Sequence, residues 1–434
     1  MESLTSKRSW SQRLWCLLCW LPIAALAAQD GLDPSLPRPL SFVAPRDFEI
    51  GDQAGSIAVG DFNRDGVQDL AAVISIPPGA GEVGVAIVLG LGGGTFGPPE
   101  IILRPSATAK SVAVGDFNGD GLADLAVVVN APFSGPGSLF VLLGNGDGTF
   151  GEPSSFSAGT SSPSKALAVG DFDRDGNLDV VVTNSGPSIS LSVLLGNGDG
   201  TFHPANVIDL GVSPLVPWSV AVADFDEDGN LDVAVGLHSG TFICVLLGDG
   251  QGSFQPPVRY ETGIRPEVVA VADFNRDGHA DLAVTLAGQA FPPVSGGVSV
   301  LLGNGDGTLQ PGVQYAGGDG PVWLEIGDFN DDTIPDLVVA NGNSEDASIL
   351  FGNGDGTFEP ALNLDVGASP SWVAAADFDG DNISDFAVAD MLGAGVAVIL
   401  SNGMARSMLD PASSRALLPG RRRPGTSTET AYRI

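Results

Sequence analysis

Short apolar runs, four to seven residues long, recur along most of this chain, each bounded by Gly, Asn, Asp or Pro. SVAVGDF (111–117) leads to DLAVVV (124–129), then to LFVLLG (139–144), then to a weaker stretch with an aromatic and a Gly, FGEPSSFSAG (150–159). The runs are rich in β-branched residues and punctuated by turn formers, so they read as strands joined by hairpins, four to a repeat. NG and DG before the fourth run supply the positive φ of a tight hairpin turn. Several runs are apolar at consecutive positions, which predicts sheets covered on both faces. Helical periodicity of any length is missing from 28–403.

The polar stretches between the runs repeat more strictly than the runs. A nonapeptide occurs seven times: DFNRDGVQD (61–69), DFNGDGLAD (116–124), DFDRDGNLD (171–179), DFDEDGNLD (224–232), DFNRDGHAD (273–281), DFNDDTIPD (328–336) and DFDGDNISD (377–385). Successive copies start 49 to 55 residues apart. A Gly-rich motif follows each of the first six, as in LGNGDGTF (143–150 and 195–202), LGNGDGTL (302–309) and FGNGDGTF (351–358), with looser forms at 89–96 and 247–254. The seventh copy has only LSNG (400–403). Repeats of about 50 residues with four strands each are the signature of propeller blades. The expected fold is therefore all-β, a seven-bladed β-propeller of four-stranded antiparallel blades. The seventh repeat lacks a fourth strand, and a matching segment, FVAPRDFEIG (42–51), precedes the first. This N-terminal strand is predicted to complete the last blade, closing the ring and removing an exposed edge.

Composition adds charge. The chain has 434 residues, 52 acidic and 19 basic, for a net charge of −33. That balance excludes nucleic acid and anionic membrane surfaces as partners, since both repel it. Lys7, Arg8 and Arg13 precede LWCLLCWLPIAALAA, which ends in the small-residue pattern Ala25-Leu26-Ala27 and is broken by Pro22. Residues 1–27 read as a signal peptide, which predicts a secreted protein, extracellular or periplasmic, with no membrane span in the mature chain. Residues 28–403 form the propeller, expected to be a monomer, and 404–434 a disordered basic tail. Cys244, in TFICVLLG, reads as a small core residue.

In the nonapeptide, positions 1, 3 and 5 carry Asp or Asn, position 6 is mostly Gly, and position 9 is always Asp. Carboxylates this close repel one another and call for a counter-ion. The spacing resembles the first part of an EF-hand loop, with oxygens from 1, 3 and 5, a backbone carbonyl from 7 and a further ligand at 9, which suits Ca²⁺. Position 12 is aliphatic in all seven copies, so no bidentate Glu is available, and the flanks are strands. Position 2 is always Phe, whose ring is expected to anchor the loop in the blade.

These loops resemble the calcium-binding FG-GAP repeats of integrin α-subunit propellers. VAVGDFNGDGLADLAVV paired with VLLGNGDGTF is also similar to the VCBS-type FG-GAP repeats of secreted bacterial proteins. The resemblance covers residues 42–403 and implies a seven-bladed propeller with Ca²⁺ between the first two strands of a blade and an extracellular recognition role. Mapped onto this sequence, the implied ligands are Asp61, Asn63, Asp65, Val67 and Asp69; Asp116, Asn118, Asp120, Leu122 and Asp124; Asp171, Asp173, Asp175, Asn177 and Asp179; Asp224, Asp226, Asp228, Asn230 and Asp232. The remaining three sets are Asp273, Asn275, Asp277, His279 and Asp281; Asp328, Asn330, Asp332, Ile334 and Asp336; Asp377, Asp379, Asp381, Ile383 and Asp385. The seventh position of each set contributes its carbonyl. Up to seven Ca²⁺ are expected, one per blade. The site at 328–336 is expected to be weakest, because Thr333 replaces the position-6 Gly and tolerates positive φ poorly. The Gly loops read as plain hairpin turns.

The opposite face is less repetitive. Trp218, Trp323 and Trp372 lie close to the starts of inner strands, as candidates for a sugar face or a partner protein. Loops 75–84 and 286–297 add apolar candidates there. The three His form no recognisable catalytic arrangement. The expected function is a calcium-binding adhesion or binding module for an extracellular protein or glycan, and not an enzyme. A polysaccharide-active enzyme, or its carbohydrate-binding domain, and a structural scaffold stand as alternatives.

Overall fold

Seven four-stranded antiparallel sheets, and a small hairpin of Gly90–Gly92 with Thr95–Phe96, make up the structure, a computed structural model that describes residues 41–51, 53–75, 83–103, 108–131, 137–159, 163–186, 189–212, 215–288, 296–392 and 395–402. The signal peptide and the basic tail read from the sequence lie outside the described residues, as do most of loops 75–84 and 286–297. No helix occurs among the described residues.

Each blade follows the order expected from its four apolar runs. Blade 2 is representative: Thr108–Gly115, Asp124–Asn130, Gly137–Leu142 and Ser154–Ser157 pair in sequence, each with the next. The first strands pack against one another in succession, and Ile57–Gly60 of blade 1 also packs against Pro370–Ala376 of blade 7, so the inner strands form a ring. Burial follows the pattern of the runs. The second strand of blade 2, DLAVVVN, is buried along its whole length, because a neighbouring sheet covers each face. The outermost strand, SSFS, is largely exposed and polar. The core consists of seven apolar clusters, most of them lying between adjacent blades. Cys244 is among the fully buried residues, and burial pushes its thiol up to about 11.

The predicted closure is present. Arg46–Glu49 pairs antiparallel with Gly395–Ile399 as the outer strand of blade 7, in the register Arg46–Val398 to Glu49–Gly395. Phe42 bridges Ser401, the Val43 N–H donates to the Leu400 carbonyl, and the Asn402 N–H donates to the Ser41 carbonyl. Arg46 also reaches blade 1, donating to the Gly93 carbonyl at 2.7 Å, and Phe48 packs on Phe96 at 5.2 Å. The two ends of the propeller segment, 41–49 and 395–402, are thus joined to each other and to the first blade.

Candidate metal centre

The seven nonapeptides connect the first and second strands of their blades and fold alike. Position 1 accepts twice from the backbone: the position-5 N–H donates to one carboxylate oxygen at 3.0–3.2 Å and the position-6 N–H to the other at 2.7–3.0 Å. The position-7 N–H donates to the Asp at position 5 at 2.8–2.9 Å. Such side-chain-to-backbone bonds wind the loop into a tight coil with its oxygens turned inward.

Two positions of that coil are left-handed. Position 6 was expected to be so; Gly66, Gly121 and their counterparts have φ near +80° to +90°. Thr333 adopts it too, at +63°, and Asn382 at +68°. Position 4, which sequence reading missed, is also left-handed: Arg64, Arg174, Glu227, Arg276 and Asp331 lie between +57° and +61°. Gly119 and Gly380 at the same position were the available signal. The loop in blade 6 therefore holds two non-glycine residues, Asp331 and Thr333, in a region that costs about 1–2 kcal/mol each for an L-residue.

Position 9 does more than close the loop. Each of these Asp residues is fully buried. One oxygen accepts from the position-2 Phe N–H at 2.7–3.0 Å, and the other from a backbone N–H of the Gly loop, or of Ser401 in blade 7, at 2.7–2.8 Å. The carboxylate therefore ties the Asp loop to the Gly loop of the same blade. Burial pushes these carboxyls up against the opposing pull of the two N–H donors: to about 6 for Asp179 and Asp232, about 7 for Asp385 and about 8 for Asp336. The Phe rings are buried as expected, all at 3% exposure or less.

The Gly loops, read as plain turns, are also clamps between blades. Gly148 of blade 2 donates its N–H to the Phe62 carbonyl of blade 1. Gly200, Gly252, Gly307 and Gly356 do the same to Phe117, Phe172, Phe225 and Phe274, and Gly94 of blade 1 to Phe378 of blade 7, all at 2.9–3.1 Å. Ser401 supplies the seventh link through its hydroxyl, to Phe329. The aromatic after five of the six Gly loops packs on the same Phe: Phe150 on Phe62, Phe202 on Phe117, Phe254 on Phe172, Phe358 on Phe274 and Phe96 on Phe378, with centroids 5.4–5.9 Å apart, while Leu309 takes that place in blade 5. Asp147, Asp199, Asp306 and Asp355 each accept from the N–H and hydroxyl of their own loop Thr, which occupies one carboxylate oxygen within the turn.

The Asp loops could hold a metal ion. In Asp171/Asp173/Asp179, Asp224/Asp226/Asp232 and Asp377/Asp379/Asp385, one carboxylate oxygen of each residue comes within 4.8 Å of the others. The other four copies place Asn at position 3 (Asn63, Asn118, Asn275 and Asn330), keeping an oxygen with one charge fewer. Burial, and then the neighbouring carboxylates, raise Asp173, Asp226 and Asp381 above the usual range, an unfavourable interaction that a bound cation relieves. The donors are all oxygen, the set that suits Ca²⁺ over softer metals. In blade 6 the Arg276 guanidinium donates to the Thr333 carbonyl at 2.7 Å and to its hydroxyl at 2.9 Å, setting a fixed positive charge beside the loop.

The three tryptophans do not form one platform. Trp323 and Trp372, on adjacent blades, stack on each other with centroids 3.1 Å apart. Trp218 lies one residue further from its DF motif than these two, and stacks on His238 at 4.9 Å under the Lys165 ammonium. His238 is also bonded to the buried Glu267 and faces Arg265.

Comparison with known proteins agrees with this architecture. The profile of the FG-GAP-like repeat matches residues 73–127, 127–182, 175–235 and 328–388. Mouse integrin alpha-3 is 32% identical over 143 residues, which is 30% of this chain and 13% of that protein. Cartilage acidic protein 1 of Xenopus tropicalis is 31% identical over 154 residues, 34% of this chain and 22% of that protein. Human integrin alpha-7 is 35% identical over 134 residues, 28% of this chain and 11% of that protein. The similarity thus spans less than a quarter of the length of these relatives. Among solved structures, an Agrocybe aegerita lectin that recognises non-reducing terminal N-acetylglucosamine superposes with a TM-score of 0.51 at 19% identity, over 79% of this chain and 87% of the lectin. A Lactobacillus plantarum protein superposes equally well, at 18% identity over 74% of this chain and 86% of its own. At these identities the two structures bear on the fold alone.

Proposed function

Since the chain belongs to the FG-GAP-like repeat family, we propose that it is a calcium-stabilised propeller that acts outside the cell as a binding or adhesion module for a protein or glycan. The observation that carries this reading is the convergence of three carboxylates within 4.8 Å in three of the seven loops, all seven of which are coiled by the same hydrogen bonds. Calcium, when bound, supplies the positive charge that lets these carboxylates ionise side by side. Positions 1, 3, 5 and 9 would contribute side-chain oxygens and position 7 its carbonyl. The 328–336 loop would bind most weakly, for Arg276 as well as Thr333 disfavours a cation there.

One face of the ring is taken up by these loops and the Gly clamps. Recognition is then left to the opposite face, where the repeat breaks down: Trp323 and Trp372 stand where blades 1 to 4 carry Ser56, Ser111, Ala166 and Ser219, and Lys165, Trp218 and Arg265 vary from blade to blade. Export through residues 1–27 fits both the calcium requirement and the integrin-like relatives, and the seven carboxylate clusters are explained by metal without a catalytic role.

An array of glycans and immobilised extracellular matrix proteins, probed in millimolar calcium and again in excess EDTA, tests this function. Saturable binding in calcium that vanishes with EDTA is expected. Binding indifferent to EDTA, or release of products from a polysaccharide, would replace the reading with a metal-independent receptor or an enzyme.

A further inference from the structure

The ring encloses a cavity of about 390 Å³ at its axis, lined by the first strands of all seven blades. The residue three before each DF motif is alanine in six blades: Ala58, Ala113, Ala168, Ala221, Ala270 and Ala374. In blade 6 it is Glu325. Among the described residues lining the cavity, Glu325 alone is ionisable, and the rest are aliphatic, small or tryptophan. Its carboxylate has no ion pair among the described residues and accepts from the Trp323 indole N–H at 3.2 Å. The surface it retains faces the cavity. Removal from bulk water pushes its carboxyl up to about 7, and the Trp323 and Ile326 N–H groups offset only part of this. An uncompensated carboxylate in a cavity whose other lining includes the Ala58, Ala113 and Ala270 methyls costs stability, and a costly charge in a concave site marks a site of function.

The neighbours of that carboxylate indicate its ligand. The stacked Trp323–Trp372 pair also lines the cavity, two residues nearer the strand starts and so toward the face opposite the Asp loops. Indole faces attract cations as well as hydrocarbon. A divalent metal requires six or more oxygens, and one carboxylate among apolar side chains does not supply them. The volume lies at the small end of the range for ligand pockets.

We propose that this axial cavity is a site for a small organic monocation, an alkylammonium or alkylguanidinium compound, whose charge pairs with Glu325 while its hydrocarbon lies against Trp323 and Trp372. The site is independent of the calcium loops, and it shares Trp323 and Trp372 with the face to which recognition is assigned above.

The test keeps the whole protein in millimolar calcium at about pH 8 and follows tryptophan fluorescence and calorimetric heat during titration. The probes are n-butylammonium, n-butylguanidinium and tetramethylammonium chlorides, with n-butanol and sodium chloride as controls. At least one cationic probe is expected to saturate, with n-butanol inert. Binding should weaken about tenfold or more in Glu325→Ala. That variant installs the residue the other six blades carry, and Glu325→Gln provides a second test of the charge; circular dichroism confirms that each is folded. No saturable response to any cationic probe up to roughly 50 mM, an equal response to n-butanol, or unchanged affinity in both variants overturns the proposal.

Discussion

Asp124 shows how much one side chain carries here. Its two oxygens accept from Phe117 and Gly144, at 2.9 and 2.7 Å, in a fully buried setting. Asp124→Asn turns an amide NH₂ toward one of those N–H groups, leaving a buried donor unmatched. It should cost about 2 kcal/mol in denaturant unfolding without calcium; a change below about 0.5 kcal/mol would mean the tie between the two loops is dispensable. Thr333 is the reverse case, a residue held against its preference at φ +63°. Thr333→Gly should stabilise by about 1 kcal/mol, even after losing the Arg276 bond to its hydroxyl. Glu325 supplies a pH dependence. Its folded value, about 7, lies above the ordinary 4.5, so the stability associated with its protonated form is present below about pH 4.5 and lost as pH rises through about 7. Glu325→Ala should therefore match the wild type near pH 5 and exceed it near pH 8, by on the order of 1–2 kcal/mol. Parallel melting curves across that range would contradict the burial of the charge. The repeated Phe was legible as an anchor of the loop, and its burial in all seven blades bears that out. The left-handed position 4 was not, because Arg, Glu and Asp occupy it in five copies and mask what the two glycines require.

Strands emerged from the sequence almost intact, because each is a β-branched run cut off by Gly, Asn, Asp or Pro. Even the missing fourth strand of the last repeat pointed to its replacement at 42–51. What stayed hidden is the pairing of the two loop types. Gly148 meets Phe62 across 86 residues of chain, and the same link recurs around the ring. A turn motif gives no sign of its acceptor when that acceptor belongs to another repeat. The displacement of Trp218 from Trp323 and Trp372 could have been read by counting back from the DF motif; what the sequence did not show is that all three strands bulge there, with Trp218 at the bulge and the other two just after it. The closing strand carries a direct test. Deleting 42–51 removes the Arg46–Glu49 pairing, the Arg46 bond to Gly93 and the Phe48–Phe96 contact together, and exposes the edge of Gly395–Ile399. The truncated protein should lose its cooperative melting transition; an equally sharp transition would mean that the ring does not depend on this strand.

At the scale of the molecule, repetition and charge belong together. A net charge of −33 repels itself, yet much of it is gathered into seven loops on one face, each coiled by its own backbone N–H donors around inward oxygens. Number and order of the blades could be read from the spacing of DF motifs, and closure from the strand missing after the seventh. The axial cavity could not, since it exists only where seven inner strands meet, and a glutamate among six alanines acquires meaning only once those positions form a ring. The proposed calcium sites would be linked to the fold by mass action: ions that bind only the closed ring stabilise it, and several sites add. Calorimetric melting in millimolar calcium and again in excess EDTA measures that linkage. Chelation should lower the melting temperature by on the order of 10 °C or more, and an identical melting temperature in the two buffers would contradict the assignment of the Asp loops as calcium sites.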